Sequence, residues 1–231
     1  MADPLQELRL CDDRACFELE GRQVGVTLDG ARAVFDSYDD WKRLQELKGE
    51  PHRLDLIWET SGPKLAAAYE FAGLAAGESV LEVGFRTGHA LRYLHSRGVR
   101  AMGLEVNLHA VEHALALGMP AFLGDVQERT RFEDASFDAI VLRDVLEHLF
   151  APAAALGECL RLLTAEGRML LEVPLEGGFG RNLLEGHASL FYSPERFETF
   201  LAGSGLAVAN RCRFTEGPHD KYRVVAHRAC G

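Results

Sequence analysis

From about residue 61 onward, short apolar segments alternate with segments of helical periodicity, and this alternation restricts the fold more than any other feature of the chain. Strands that alternate with helices are typical of βαβ units, which build a parallel sheet. The apolar segments predict strands over Ser79 to Val83, Ala101 to Glu105, Ala121 to Leu123, Phe137 to Leu142 and Arg168 to Val173. The intervals predict helices over Lys64 to Leu74, His89 to Arg97, Asn107 to Leu117 and Ala153 to Leu163. A doubly wound α/β domain follows.

The last third of the chain has a different pattern. Ser193 and Pro194 form a helix start signal, with a capping side chain followed by proline at the first helical position. Two apolar stretches then follow, Leu206 to Phe214 and Tyr222 to His227. We expect them to form an antiparallel hairpin that closes one edge of the sheet.

The first 60 residues do not share this alternation. Residues 22–47 read as a strand, an Asp29-Gly30 turn, a second short strand and a helix. Because so small a unit does not form a stable core alone, we expect residues 1–60 to be an appendage that packs on a domain formed by residues 61–231.

Composition excludes several classes of protein. A chain of 231 residues with 47% hydrophobic residues can bury one large core, and its formal charge of -10 disfavours binding to nucleic acid. The five cysteines are scattered without a CxxC pair, so neither a disulfide framework nor a metal site is indicated, and a cytoplasmic location is favoured. The charged N-terminal segment lacks the apolar core of a signal peptide, and no apolar run is long enough to span a membrane.

Polar residues and glycines collect where the predicted strands end. Glu82 lies close to the end of the first parallel strand, Gly84 and Gly88 follow it, Glu105 ends the second, and Asp125 follows the third. Ligands of open parallel sheets bind outside these carboxyl ends. A carboxylate in the place of Glu105 can accept two hydrogen bonds from ribose hydroxyls, and one in the place of Asp125 can accept a bond from an exocyclic amine. The three positions together indicate an adenosine-like ligand.

Five segments, in this order and spacing, resemble the class I S-adenosylmethionine-dependent methyltransferases, especially small members that modify metabolites. They are "VLEVGFRTG", "GLEVN", "LGDVQE", "FEDASFDAIVLRDVLEHL" and "LRLLTAEGRMLLEVP". The resemblance covers about residues 61 to 227. It implies a Rossmann-like seven-stranded sheet with an antiparallel last strand and S-adenosyl-L-methionine as the cofactor. It also implies that Glu82 and Gly84 lie near the methionine part, Glu105 at the ribose and Asp125 at the adenine, with further cofactor-binding positions at Phe85, Arg86, Gly88, Val106, Val126 and Arg143.

One loop departs from the family pattern. The family has acid-x-Gly-x-Gly-x-Gly after the first strand, whereas this chain has Arg86 in place of the middle glycine and Phe85 before it. Glycine matters there because the backbone approaches the ligand closely. Arg86 has three interpretations: its side chain points outward, or pairs with the methionine carboxylate, or obstructs the pocket.

The strand ends allow other interpretations. A nicotinamide-binding loop needs glycines at other spacings than "GFRTGH" offers. Glu82 and Glu105 could also be solvated acids at strand ends with no ligand. A non-catalytic or cofactor-deficient member of the fold that serves as an interaction module is the alternative to an enzyme, because Arg86 replaces a glycine and no general base is evident.

The candidates for a catalytic base are Asp144 and His148, after the fourth strand, and His187, in a long glycine-rich segment after the fifth. A base is required only when the acceptor arrives protonated. For His148, a structural role in a helical turn is an alternative. The segment around His187 suits a lid over an apolar acceptor.

The string "LRDV" after the fourth strand differs from the Asn/Asp-Pro-Pro-aromatic string of amino methyltransferases, which disfavours exocyclic amines as acceptors. The leading hypothesis is methyl transfer to O, N or C of a small molecule, with the appendage and the glycine-rich segment forming the acceptor pocket. The sequence leaves open whether the chain forms a homodimer.

Overall fold

The computed structural model describes residues 9–11, 14–19, 22–29, 32–35, 58–86, 88–175, 191, 193–216 and 219–229. The described residues form two sheets. A four-stranded antiparallel sheet precedes a seven-stranded sheet, and helices flank the larger one.

The N-terminal sheet is larger than predicted. Its strands are β1 (Arg9–Cys11), β2 (Arg14–Leu19), β3 (Arg22–Asp29) and β4 (Arg32–Phe35), in that order and all antiparallel. The predicted hairpin corresponds to β3 and β4, whose ends Asp29 and Arg32 are paired. The sequence analysis missed β1 and β2, which are short and rich in charged residues. The helix predicted up to residue 47 lies outside the described residues. The division into residues 1–60 and 61–231 stays a prediction.

The larger sheet contains β5 (Ser79–Val83), β6 (Arg100–Glu105), β7 (Ala121–Leu123), β8 (Phe137–Arg143), β9 (Leu163–Pro174), β10 (Leu206–Glu216) and β11 (His219–Arg228). The strand order is β10-β11-β9-β8-β5-β6-β7. Strands β5 to β9 pair in parallel, and β11 is antiparallel to both β9 and β10. The predicted seven-stranded, mostly parallel sheet with its edge hairpin is confirmed.

The helices are α1 (Trp58–Phe71), α2 (His89–Ser96), α3 (Leu108–Ala116), α4 (Pro152–Leu162) and α5 (Pro194–Gly203), with a 3₁₀ turn at Leu146–His148. The Ser193 side chain caps α5 by accepting from the Arg196 N–H, as the start signal predicts. None of the described helices has the length and apolar character that a membrane span requires.

The core lies on both faces of the sheet. Helices α4 and α5 cover one face, where Leu156 and Phe197 are fully buried. Helices α1, α2 and α3 cover the other, with Ala68, Leu91 and Ala114 fully buried. Because both faces are covered, the carboxyl ends of the parallel strands are the natural place for polar groups to converge.

Candidate functional site

The loop after β5 is formed by close backbone packing. Gly84 has a φ of 70°, and its N–H donates to the Leu104 carbonyl at 2.9 Å. A Cβ on Gly84 would lie 2.6 Å from Val145 Cγ2, in the segment after β8. Glycine is therefore required here both by its left-handed conformation and by the approach of Val145.

Phe85 contributes its side chain to the core. The ring is 4% exposed, and a Cβ on Gly103 of β6 would lie 2.2 Å from Phe85 Cδ1. Because Gly103 has no side chain, the Phe85 ring can occupy the space next to its Cα. Phe85 is thus a core residue as well as a loop residue, and its predicted contact with the cofactor stays a prediction.

Arg86 adopts a left-handed conformation, which glycine takes more easily than other residues. Its φ is 53°, its side chain is exposed, and its backbone N–H donates to Glu105 Oε2 at 3.2 Å. This is the geometry of the outward interpretation. A left-handed conformation costs a residue with a Cβ about 1 kcal/mol, so the loop keeps its path at some expense in stability.

Gly88 begins α2 as its N-cap residue. Its φ is 72°, and a Cβ there would lie 2.9 Å from Ala114 Cβ of α3. The absent side chain allows the two helices to approach each other at the carboxyl ends of β5 and β6. Because α2 follows β5 in the chain, its N-terminus lies after the carboxyl end of that strand.

Glu105, the last residue of β6, is buried and held by three backbone N–H groups. Oε1 accepts from Val106 at 2.9 Å and Asn107 at 3.1 Å, and Oε2 accepts from Arg86. Burial raises the pKa of the Glu105 carboxyl, and the three donors and the Arg86 charge oppose that rise. A carboxylate has about four acceptor positions, so three bonds leave room for another donor.

Asp125 follows β7, beside the end of β6, where the Gly124 N–H donates to the Glu105 carbonyl at 3.0 Å. Asp125 is 8% exposed, and Oδ1 accepts from the Gln127 backbone at 2.9 Å and from Gln127 Nε2 at 3.1 Å. The structure therefore brings Glu105 and Asp125 to adjacent strand ends, as predicted. Val126 is buried in the core.

Glu82, on β5, is a buried acid paired with a residue that the sequence analysis did not select. The Tyr69 hydroxyl of α1 donates to Glu82 Oε2 at 3.0 Å. Burial raises the pKa of Glu82 to about 7, against the opposing effects of Arg143 and of the Tyr69 hydrogen bond. At neutral pH this group is poised between its charged and neutral forms.

Three charged side chains lie side by side on β8, β9 and β11. The sheet register pairs Arg143 with Glu172 and Glu172 with Arg223. Arg143 Nη2 lies 3.2 Å from Glu172 Oε1, and Arg223 Nε lies 2.7 Å from Oε2. Although burial alone would raise the pKa of the Glu172 carboxyl, Arg143, Arg223 and Lys221 lower it. The predicted cofactor residue Arg143 is thus part of a buried ion network.

A second set of ion pairs extends this network to the edge of the sheet. Lys221 Nζ of β11 lies 2.6 Å from Asp144 Oδ2 and 2.8 Å from Glu216 Oε2. Lys64 of α1 lies 2.6 Å from Glu216 Oε1. Burial raises the pKa of the Asp144 carboxyl in spite of Lys221. These ion pairs form a continuous series from Lys64 on α1 to Asp144, the residue directly after β8.

The remaining base candidates have different positions. His148 lies in the 3₁₀ turn, with its side chain 27% exposed and Nε2 at 4.0 Å from Glu147 Oε1. His187 lies outside the described residues. The structure therefore brings Asp144 and His148 to the segment that follows β8, and the role of each stays a prediction.

The sequence analysis missed Tyr69, Glu172, Lys221 and Arg223. A signal for the last two was present, because "KYRVV" places two cations on one face of a strand that is otherwise apolar. A strand with cations on a buried face needs carboxylate partners. Glu172, inside the apolar run "LLEVP", is the partner that this reasoning would have found.

The region around these strands matches a known protein family. A family profile described as a methyltransferase domain matches residues 81–171, from β5 into β9. This range includes Glu82, Glu105, Asp125, Arg143 and Asp144.

Two curated proteins have related sequences. The S-adenosyl-L-methionine-dependent Diels-Alderase iccD of Talaromyces variabilis is 34% identical over 107 residues, which cover 42% of this chain and 37% of that protein. The ubiquinone biosynthesis O-methyltransferase of Sodalis glossinidius (strain morsitans) is 27% identical over 143 residues, covering 58% of this chain and 51% of that protein. The chain thus spans about half or less of the length of these relatives.

A solved structure has a similar fold over nearly the whole chain. It is the 1,6-didemethyltoxoflavin-N1-methyltransferase of Burkholderia thailandensis, determined with bound 1,6-didemethyltoxoflavin and S-adenosylhomocysteine. The TM-score is 0.67, with 16% identity and coverage of 97% of this chain and 100% of that one. At this identity the similarity establishes the fold.

Proposed function

We propose, on the premise that this chain belongs to the class I S-adenosylmethionine-dependent methyltransferases, that it transfers a methyl group to a small-molecule acceptor. The observation that carries the proposal is the Glu105 carboxylate. It is buried at the end of β6, oriented by three backbone N–H groups, and it retains capacity for a further donor. A strand-end acid without a ligand needs none of this preorganisation.

The residues at the strand ends fit S-adenosylmethionine, the cofactor of this family. Glu105 would accept hydrogen bonds from the ribose hydroxyls, and Asp125 would accept one from the adenine amine. The loop from Gly84 to Gly88 would place its backbone along the methionine part, because the Phe85 ring is buried in the core and the Arg86 side chain is exposed. Val106, Val126, Glu82 and Arg143 are the further residues that we assign to this region.

The bound cofactor supplies a methyl group on a cationic sulfur, which an acceptor atom can attack in line. What the protein adds is alignment of the acceptor, an effect worth up to roughly 7 to 11 kcal/mol for well-oriented reactants. Where the acceptor is a phenol or alcohol, its proton must also be removed. Asp144, His148 and His187 are the residues that we propose for this role.

The acceptor is proposed to be a small molecule methylated on O, N or C, bound between the appendage and the segment around His187. One relative is named as an O-methyltransferase, and one structural neighbour as an N1-methyltransferase bound to a small heterocycle. The charge of -10 supports the exclusion of nucleic acid as a substrate. Action in the cytoplasm and assembly as a homodimer are proposals that biochemical fractionation would test.

A second candidate function has a specific observation in its favour. The relative with 34% identity is named as a Diels-Alderase that depends on the same cofactor. A Diels-Alder reaction forms carbon-carbon bonds and consumes no methyl group. The non-catalytic alternative, an interaction module with the methyltransferase fold, would change no substrate at all.

One pair of measurements separates these candidates. Native mass spectrometry of the purified protein should show retained S-adenosylmethionine or S-adenosylhomocysteine. Incubation with S-adenosyl-[methyl-³H]methionine and a panel of phenols, alcohols, amines and carboxylic acids should then transfer label to at least one compound. Cofactor binding with no labelled product would favour a cyclase or an interaction module, and absence of cofactor binding would contradict the proposal.

A further inference from the structure

The ammonium of Lys221 lies among three carboxylates at one end of the sheet. Nζ is 2.6 Å from Asp144 Oδ2, 2.8 Å from Glu216 Oε2 and 3.7 Å from Glu172 Oε1. The side chain is 9% exposed. These three acids come from different places in the chain, after β8, at the end of β10 and within β9. Lys221 therefore connects the C-terminal hairpin to the segment after β8.

The same three acids are the one set of potential metal ligands found among the described residues, with ligand atoms within 4.8 Å of one another. In this structure the position between them belongs to the Lys221 ammonium. The ammonium of Lys221, a residue of β11, thus offsets the repulsion among the three carboxylates. The arrangement is complete without an ion from solution.

Asp144 differs from the other two acids in its backbone and in its hydrogen bonding. Its φ is 53°, a conformation that aspartate tolerates better than most residues, and its N–H donates to the Glu172 carbonyl at 3.0 Å. Its Oδ1 is a buried oxygen that has no hydrogen-bond partner among the described residues. The side chain as a whole is 39% exposed. Strain and an unsatisfied polar atom in one residue are features of binding sites rather than of structural ion pairs.

We propose that Lys221 is a positioning residue, which holds Asp144 through Oδ2 so that Oδ1 can accept a hydrogen bond from an O–H or N–H group of the methyl acceptor. This inference rests on the proposed function and extends it to the substrate class. Because one oxygen is committed to Lys221, the second has a defined orientation. An acceptor with a hydroxyl or amine donor satisfies Oδ1, whereas a carboxylate in the same place would face a like charge.

The charges that surround Asp144 come from every strand packed against it. Lys221 approaches from β11, Arg143 from β8 and Glu172 from β9, while Glu216 of β10 acts through Lys221. Lys64 contacts Glu216 and provides a matched control, because its removal takes a cation from the network without touching the Asp144 carboxylate.

The first experiment compares Lys221→Met, Lys221→Arg and Lys64→Met in buffer with a chelator, so that no metal ion replaces the lost ammonium. Titration calorimetry with S-adenosylhomocysteine should give affinities within about twofold of wild type for all three variants. In protein labelled with carboxyl-¹³C aspartate, the Asp144 signal is assigned with Asp144→Asn. Its titration midpoint should rise by at least about one pH unit in Lys221→Met and should stay near the wild-type value in the other two. An unchanged midpoint in Lys221→Met would overturn the inference.

The second experiment uses phenol, benzylamine and benzoate derivatives as probes for tritiated methyl transfer. We expect wild type to methylate hydroxyl or amine probes in preference to benzoates. For a methylated probe, kcat/KM should fall about tenfold or more in Lys221→Met, recover in part in Lys221→Arg, and stay within about twofold in Lys64→Met. Preference for benzoates, or equal losses in Lys221→Met and Lys64→Met, would contradict the inference. If wild type binds S-adenosylhomocysteine but labels no probe, the proposed function fails, and the Asp144 midpoint alone decides the role of Lys221.

Discussion

The backbone N–H of Arg86 donates a hydrogen bond to the Glu105 carboxylate at 3.2 Å, joining the loop after β5 to the end of β6. Arg86 makes this bond from a left-handed conformation, with a φ of 53°. Arg86, which stands where a glycine was expected, thus has the positive φ that glycine adopts most easily. Its side chain is exposed, so only the backbone of Arg86 takes part in this contact.

Replacement of Glu105 by alanine should weaken cofactor binding. Loss of charge-assisted hydrogen bonds to the ribose costs about 1.5 to 3 kcal/mol, or roughly 10- to 150-fold in affinity. Titration calorimetry with S-adenosylhomocysteine measures this. Glu112→Ala, at an exposed acid on α3, is the matched control and should bind as wild type does. Wild-type affinity in Glu105→Ala would remove the ribose assignment.

Replacement of Arg86 by glycine should raise the free energy of unfolding by up to about 1 kcal/mol, because glycine adopts a positive φ without strain. Cofactor affinity should be unchanged, or weaker if the guanidinium reaches the methionine carboxylate when the ligand is bound. Ala135→Gly, at a φ of 51° in another loop, should give a similar gain in stability. Denaturant unfolding and calorimetry check both values. A wild type that fails to bind beside an Arg86→Gly variant that binds would show that Arg86 blocks the pocket.

The pH dependence of the free energy of unfolding should reveal the raised pKa of Glu82. Its folded pKa of about 7 exceeds the ordinary value of 4.5, so the folded state binds more protons than the unfolded state between these limits. Stability from this group is therefore present below about pH 4.5 and is lost as pH rises to about 7.

Glu82→Gln removes this titration. Between pH 5 and pH 8 the free energy of unfolding of the variant should therefore fall less than that of wild type, by on the order of 2 to 3 kcal/mol. Urea unfolding of wild type and variant across this range gives the difference curve, in which other titrating groups cancel. Glu112→Gln is the exposed control. Parallel curves for wild type and Glu82→Gln would mean that Glu82 stays ionised in the folded state.

Replacement of Gly103 by alanine tests whether Phe85 is a core residue. The added Cβ would meet the ring at 2.2 Å, so one of the two must move, and overpacking of this kind costs about 1 to 3 kcal/mol. Gly157→Ala in α4 is the opposite case, because its Cβ would meet no atom within 4 Å and alanine favours the helix by about 1 kcal/mol. Thermal unfolding of the pair should shift in opposite directions. A stable Gly103→Ala variant would show that Phe85 can leave the core.

The local pattern of apolar and polar residues was sufficient to predict the strands of the larger sheet. Ser79–Val83 and Ala121–Leu123 have the bounds that their apolar runs predict, and Ser193 caps α5, because these features depend on neighbours within a few residues. Strand β9 begins at Leu163, earlier than the predicted Arg168, since pairing with Phe137 on β8 extends it. The strand-end acids Glu105 and Asp125 were also found from their positions alone, because parallel strands bring their carboxyl ends to one edge.

The ion network and the conformation of Arg86 depend on contacts between distant segments. Lys221 and Asp144 are far apart in the chain, and their pairing follows from β11 lying beside β9, which no local pattern specifies. The sequence shows a charged residue but not its partner, and a buried charge is stable only when that partner is present. Arg86 takes a left-handed conformation because Glu105, on the neighbouring strand, accepts the hydrogen bond of its N–H and offsets the local strain.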